Sequence, residues 1–271
     1  MNRINQCLEN LAQQGRKALV PYIVTGDPSL EATLATLHAL VEQGADILEL
    51  GVPFSDPTAE GPVIQRAHER ALANNTSLRD ALDIVKQFRE RDGDTPIVLM
   101  GYTNPIERMG YSTFVENATA AGVDGVLTVD LPPEEATEFT AQLRDAEIEN
   151  IFLITPTTTI ERQKMIVSLA GGYIYYVSLK GVTGAGHLDI DSVKEKLLEI
   201  KSLTDLPVCV GFGIKDGESA SAVAKISEGA VVGSVLVNKM AEAAESTSDI
   251  NEIASAVSAI INDMRQAIDN S

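Results

Sequence analysis

At 271 residues the chain is long for one ordinary domain and of usual length for a single α/β barrel. Its 44% hydrophobic and 22% charged content is that of a globular protein, and no apolar run approaches the length of a membrane span. A net charge of −18 argues against nucleic acid or an anionic membrane as partner, because phosphates would be repelled, yet it leaves room for a small anionic substrate recognised by local groups.

The first predicted element is an amphipathic helix carrying Ile4, Leu8 and Leu11, placed to cover one end of the core. Eight short, nearly continuous apolar runs follow at 18–24, 46–52, 97–100, 125–129, 151–155, 173–178, 208–211 and 230–235, the pattern of parallel strands covered on both faces. Helical periods lie between them. One carries Leu30, Leu34, Leu37, Leu40 and Val41, introduced by Asp27-Pro28 as cap and first-turn proline; another carries Leu78, Leu82, Val85 and Phe88. Glycine at Gly44, Gly122 and Gly229 closes a helix and leads into a strand, while Pro96 and Pro207 open strands. Further helix is expected over 249–268. Eight such units predict a closed (β/α)₈ TIM barrel spanning 1–271 as a single domain. A doubly wound open sheet is the alternative, but no Gly-x-Gly-x-x-Gly follows the first strand. Cys7 and Cys209 lie far apart and read as reduced, buried thiols, and the start lacks an apolar signal core, so a cytoplasmic protein is expected.

In such a barrel, chemistry sits where the strands end. Glu49 is a carboxylate within an apolar strand, flanked by Leu48 and Leu50. Burial there should raise its pKa towards neutrality, as proton transfer requires; a structural ion pair is the other reading. The following loop is stiffened by Pro53 and Pro57 and carries Asp56 and Glu60. Loop 178–187 holds three glycines around Thr183, Gly211-Phe212-Gly213 follows, and Gly233-Ser234 opens the last barrel helix. Backbone N–H groups exposed by these glycines, with a helix dipole, suit a phosphate; ordinary turn glycines are the alternative. Tyr22, Met100, Tyr102, Leu127, Tyr175 and Phe212 at other strand ends suit a flat aromatic substrate, or simply fill the barrel. His38, His68 and His187 show no metal-ligand spacing, and no metal is expected.

Several of these strings resemble the tryptophan synthase alpha subunit family. They are Glu-Leu-Gly-Val-Pro at 49–53 with Phe-Ser-Asp-Pro-x-Ala-[acid]-Gly-Pro at 54–62, Gly-Tyr-Thr-Asn-Pro at 101–105, Gly-Val-Thr-Gly at 181–184, Val-Gly-Phe-Gly-Ile at 210–214 and Val-Gly-Ser at 232–234. They occur in the family's order and span the barrel. The resemblance implies cleavage of indole-3-glycerol phosphate to indole and glyceraldehyde 3-phosphate, with Glu49 as acid/base, position 60 as the carboxylate that accepts the indole N–H, and Tyr175 near the pair. It implies phosphate contacts at Gly184, Gly213, Gly233 and Ser234, and for such a substrate the strand-end and loop residues Tyr22, Met100, Tyr102, Leu127, Thr183 and Phe212 are the expected contacts. It also implies docking on a β subunit in an αββα complex, with Asp56, Pro57 and the 53–60 loop communicating with it. Pyridoxal phosphate would belong to that partner, leaving this chain without a cofactor.

Two departures stand out: Glu60 replaces the family's Asp, and Thr58 replaces an expected leucine. The altered acid keeps open a non-catalytic regulatory barrel, and Lys180 keeps open a Schiff-base aldolase.

Overall fold

The computed structural model describes residues 2–178, 190–211 and 213–271. Eight parallel strands close a barrel in sequence order: β1 (Ala18–Val24), β2 (Leu48–Gly51), β3 (Ile97–Gly101), β4 (Gly125–Thr128), β5 (Glu149–Ile154), β6 (Ile174–Val177), β7 (Val208–Gly211) and β8 (Gly229–Val232). β8 pairs with β1, from Ala18 opposite Gly229 to Pro21 opposite Val232, so the sheet has no edge and the open-sheet alternative falls.

The helices are α1 (Arg3–Gln13), α2 (Leu30–Glu42), α3 (Pro62–Ala73), α4 (Leu78–Arg89), α5 (Thr103–Met109), α6 (Tyr111–Ala121), α7 (Thr137–Asp145), α8 (Ile160–Leu169), α9 (Ile190–Lys201), α10 (Gly217–Ala224), α11 (Ser234–Ser246) and α12 (Ile250–Asp269). None of them is long and apolar enough to cross a membrane.

Strand alternation divides the core in two. Leu19, Ile23, Leu48 and Leu50 face the helices, whereas Val20, Ile47, Val98, Leu127, Ile151, Tyr173 and Val231 fill the barrel interior together with Ile4, Leu8 and Leu11 of α1. The first helix thus plugs the N-terminal end, as its apolar stripe predicts. Ion pairs reinforce that end. Asp124 accepts from Arg3 Nη1 at 2.8 Å and Arg89 Nη2 at 2.6 Å, and Asp46 accepts from Arg265 Nη1 at 3.0 Å. With this end sealed, ligand access is left to the C-terminal strand ends.

Several sequence expectations change in detail. Asp27-Pro28 does not cap α2: Ser29 is the N-cap, its Oγ accepting the Ala32 N–H at 3.1 Å. Asp27 is instead held by Arg70 through two bonds of 2.7 and 2.8 Å, a pairing 43 residues apart that local sequence does not show. β2 is shorter than the apolar run, and the eighth run stops as strand at Val232 because α11 begins at Ser234. Gly229 is the first residue of β8 rather than a helix terminus, since α10 ends at Ala224. Both cysteines are free, and Cys209 is buried as expected, but Cys7 is only half-buried. Burial, then the neighbouring Asp46, pushes the Cys7 thiol up to about 12, so it stays protonated.

Candidate active site

Glu49 lies in β2 between the outward leucines Leu48 and Leu50, so alternation turns it into the barrel. It is fully buried. Tyr173 donates to Oε1 at 2.6 Å, while Oε2 is buried without a hydrogen-bond partner among the described residues. Burial raises the carboxyl pKa from 4.5 to about 7, and the Tyr173 bond only partly opposes this. No basic side chain touches it among the described residues, so none of them forms the ion pair of the other reading. A carboxyl with one oxygen anchored, the other unpaired and a pKa near 7 is equipped to give and take a proton at neutral pH.

Glu60 is half-buried at the end of the loop that follows β2. The Tyr102 hydroxyl donates to Glu60 Oε2 and accepts the Ala59 N–H at 3.1 Å. Burial raises the Glu60 pKa, and the Tyr102 bond lowers it. Tyr102 stacks on Phe54, with ring centroids 5.1 Å apart, so its ring packs beside the loop and its hydroxyl reaches the second carboxylate.

Tyr22 and Tyr175 complete the wall. Each ring lies over a glycine of the adjacent strand: a Cβ on Gly51 would sit 2.4 Å from the Tyr22 hydroxyl, and one on Gly211 2.2 Å from that of Tyr175. These glycines make room for two phenols inside the barrel. Burial, followed by the charges of Glu49 and Glu60, holds both phenols well above their ordinary pKa, so both carboxylates act on the same two rings. Tyr175 thus stands within electrostatic reach of both carboxylates, while the hydrogen bond to Glu49 comes from Tyr173. Leu127 is buried in the interior with α1, and Met100 is partly buried between the interior and a smaller cluster containing Tyr22.

At the phosphate end, β7 leads to Gly213, whose φ of +78° is a glycine conformation. β8 leads through Gly233 to Ser234, the first residue of α11, which has no side-chain cap, so its N-terminal dipole stands at the barrel mouth. Thr183, Gly184 and Phe212, together with Lys180 and His187, lie outside the described residues. Asp56 is exposed and Pro57 partly so, with the Ser55 hydroxyl donating to Asp56 Oδ2 at 2.6 Å.

Sequence reasoning missed two residues. Tyr173 was readable from the period of two, since an inward Tyr175 implies an inward Tyr173. His68 was readable from the i, i+3, i+4, i+7 face Ile64, Ala67, His68, Ala71 on α3.

A closed (β/α)₈ barrel, sealed at its N-terminal end and carrying two raised-pKa carboxyls beside a helix N-terminus at the other, defines a barrel enzyme for acid–base chemistry on a small anionic substrate. The sequence model of the family described as tryptophan synthase alpha chain matches residues 8–269. The chain is 57% identical over 241 residues to the tryptophan synthase alpha chain of Marinobacter nauticus, covering 89% of each, and 58% identical over 244 residues to that of Burkholderia lata, covering 90% of each. Among solved structures, the tryptophan synthase alpha subunit of Legionella pneumophila superposes with a TM-score of 0.93 at 48% identity over the whole of both chains. A chain of Mycobacterium tuberculosis tryptophan synthase in an aminoacrylate-bound form superposes with a TM-score of 0.87 at 31% identity, over 99% of this chain and 100% of that one. This chain belongs to the tryptophan synthase alpha chain family. It is a carbon–carbon lyase that cleaves indole-3-glycerol phosphate.

Proposed function

We propose that Glu49 and Glu60 divide the proton work of this cleavage. Glu49 delivers a proton to indole C3, and Glu60 accepts the indole N–H and stabilises the cationic indolenine. The bond from C3 to the glycerol carbon then breaks, its electron pair returning to the indole ring. The hydroxyl on the departing carbon loses its proton and becomes the aldehyde of glyceraldehyde 3-phosphate. One proton enters and one leaves, so a carboxyl with a pKa near 7 can serve in both directions. The observation that carries this reading is the buried Oε2 of Glu49, which has no hydrogen-bond partner among the described residues. The test is indole release by a Glu49→Gln chain: loss of turnover with the fold intact supports the assignment, and normal turnover removes it.

Tyr22, Met100, Tyr102, Leu127, Tyr175 and, outside the described residues, Thr183 and Phe212 form the indole side of the site in this reading. The phosphate is held by backbone N–H groups at Gly184, Gly213, Gly233 and Ser234. Gly233 allows a test. Its φ is negative, but φ −123° with ψ −77° lies between the ordinary helical and extended regions, so a side chain there carries some backbone strain; a Cβ would meet only ordinary contacts, 3.4 Å from Tyr22 and 3.8 Å from Ile64. Gly233→Val is therefore read beside Gly233→Ala, with the urea midpoint of each showing that it folds. A hydrogen bond to a charged group is worth about 1.5–3 kcal/mol, so losing one to blocked backbone approach raises KM about 10- to 100-fold. Unchanged KM would count against this placement.

The partner is a pyridoxal-phosphate-dependent β subunit, in a cytoplasmic αββα complex through which indole passes. Asp56 and Pro57 stand at the exposed tip of the loop whose far end carries Glu60, so a protein docked there touches the catalytic segment directly. Adding β subunit should raise indole release by the isolated chain. Unchanged turnover despite demonstrated binding would show that no such coupling operates.

A further inference from the structure

His68 has no part in the chemistry above, yet it is 1% exposed on α3 and directly bonded to the loop carrying Glu60. Its Nδ1 accepts the Phe54 N–H at 3.1 Å. The ring proton must then reside on Nε2, which is buried without a hydrogen-bond partner among the described residues. An unpaired buried N–H is unfavourable. Phenylalanine or leucine would fill the same space without that penalty, so packing alone does not account for a histidine here. What imidazole adds is an acceptor aimed at one backbone amide.

We propose that His68 is a positioning residue for the cleavage reaction: its neutral imidazole fixes Phe54 at the root of loop 53–61, and through the Phe54–Tyr102 stack it sets where the Glu60 carboxylate sits. The contacts form a closed circuit. Phe54 is held by His68 and stacks on Tyr102. Tyr102 returns to the far end of the same loop, accepting the Ala59 N–H and donating to Glu60. Between these ties, among the described residues, the loop makes short local bonds, Thr58 N–H to Asp56 O, Glu60 N–H to Pro57 O and Ser55 Oγ to Asp56, and Ser55 and Asp56 are exposed. The loop is thus clamped at its two ends by groups outside it and open in the middle. Burial holds the His68 pKa at about 4, so the acceptor persists throughout the neutral range.

This inference rests on Glu60 being the second carboxylate of the reaction, and the experiment separates the two. His68→Phe keeps a planar ring and deletes the acceptor. His68→Asn places an amide oxygen near the Nδ1 position and deletes the ring. The measurements are kcat and KM for indole-3-glycerol phosphate cleavage by the isolated chain, exchange of the Phe54 amide, and the urea midpoint. His68→Phe should lower kcat about tenfold, consistent with sub-ångström drift of a catalytic group, with KM changed less than about threefold and Phe54 exchange accelerated at least about tenfold. His68→Asn should restore most of kcat and the slow exchange, although it packs less well. Unchanged kcat and exchange in His68→Phe, or an asparagine variant no better than the phenylalanine one, would overturn the proposal. If His68→Phe does not fold, His68→Asn decides alone: near-normal kcat supports the proposal, and a tenfold fall overturns it. Full turnover in Glu60→Ala would instead overturn the Glu60 assignment, leaving Phe54 exchange as the separate reading of the clamp.

Discussion

Glu49→Gln should lower indole-3-glycerol phosphate cleavage by about 10²–10⁴-fold, the range over which general acid–base catalysis contributes. The amide keeps the size of the side chain and still accepts from Tyr173, so only the exchangeable proton is lost. The same substitution should stabilise the protein, and the pH dependence gives the sign. Glu49 titrates near 7 in the folded chain against an ordinary 4.5, so folding favours its protonated form. Below about pH 4.5 the carboxyl is protonated in both states and glutamine changes little. Between 4.5 and 7 the unfolded chain ionises first, and native stability falls. Above 7 the difference is constant, roughly 3 kcal/mol at about 1.4 kcal/mol per pH unit. Urea unfolding at pH 4.5 and pH 8 measures it. The variant should gain on the parent only at the higher pH. Equal stability at pH 8 would mean that burial does not penalise the Glu49 charge. A stability–activity opposition of this kind is expected where a charge is kept in an apolar strand for chemistry.

Glu60→Ala should come close to abolishing cleavage, by about 10²–10³-fold, since in the proposed mechanism it removes the charge that stabilises the developing indolenine cation. Glu60→Asp is the more revealing variant. The resemblance places an aspartate here, and glutamate extends the carboxylate by roughly 1 Å or more, a displacement that can cost about 10²-fold if nothing compensates. In the structure something does: the Tyr102 hydroxyl holds Glu60 Oε2 while its oxygen receives the Ala59 N–H, so carboxylate and loop backbone are registered against one group. With a seat built for the longer side chain, aspartate should change turnover only modestly, within about tenfold either way. A large gain in Glu60→Asp, read as kcat for the isolated chain, would show that the native glutamate is poorly placed. Near-normal turnover in Glu60→Ala would remove Glu60 from the mechanism.

The strand runs named the barrel because parallel strands covered on both faces must be apolar throughout, and all eight runs are strands in the structure. The first helix was legible for the same reason: Ile4, Leu8 and Leu11 form one stripe with only the barrel end to cover. Glu49 was legible as a charge where a period-two pattern forces burial. Errors fell where a local signal met a distant partner. Asp27-Pro28 looks like a helix start, but Arg70 claims the aspartate and Ser29 takes the cap. The hydroxyl that reaches Glu49 belongs to Tyr173, just before the strand that carries Tyr175, a contact that only the fold reveals.

The sequence by itself therefore determined the architecture and the family, and singled out Glu49 and Glu60 as candidates, because periodicity and motif order are properties of the chain alone. Only the tertiary structure decided how each acid is held: that Glu49 has one oxygen tied and the other without a partner among the described residues, that Glu60 rests on Tyr102, and that His68 grips Phe54. Those contacts join residues 124, 42 and 14 positions apart, and which donor reaches which carboxylate follows from barrel closure and strand register, which no local window of sequence contains.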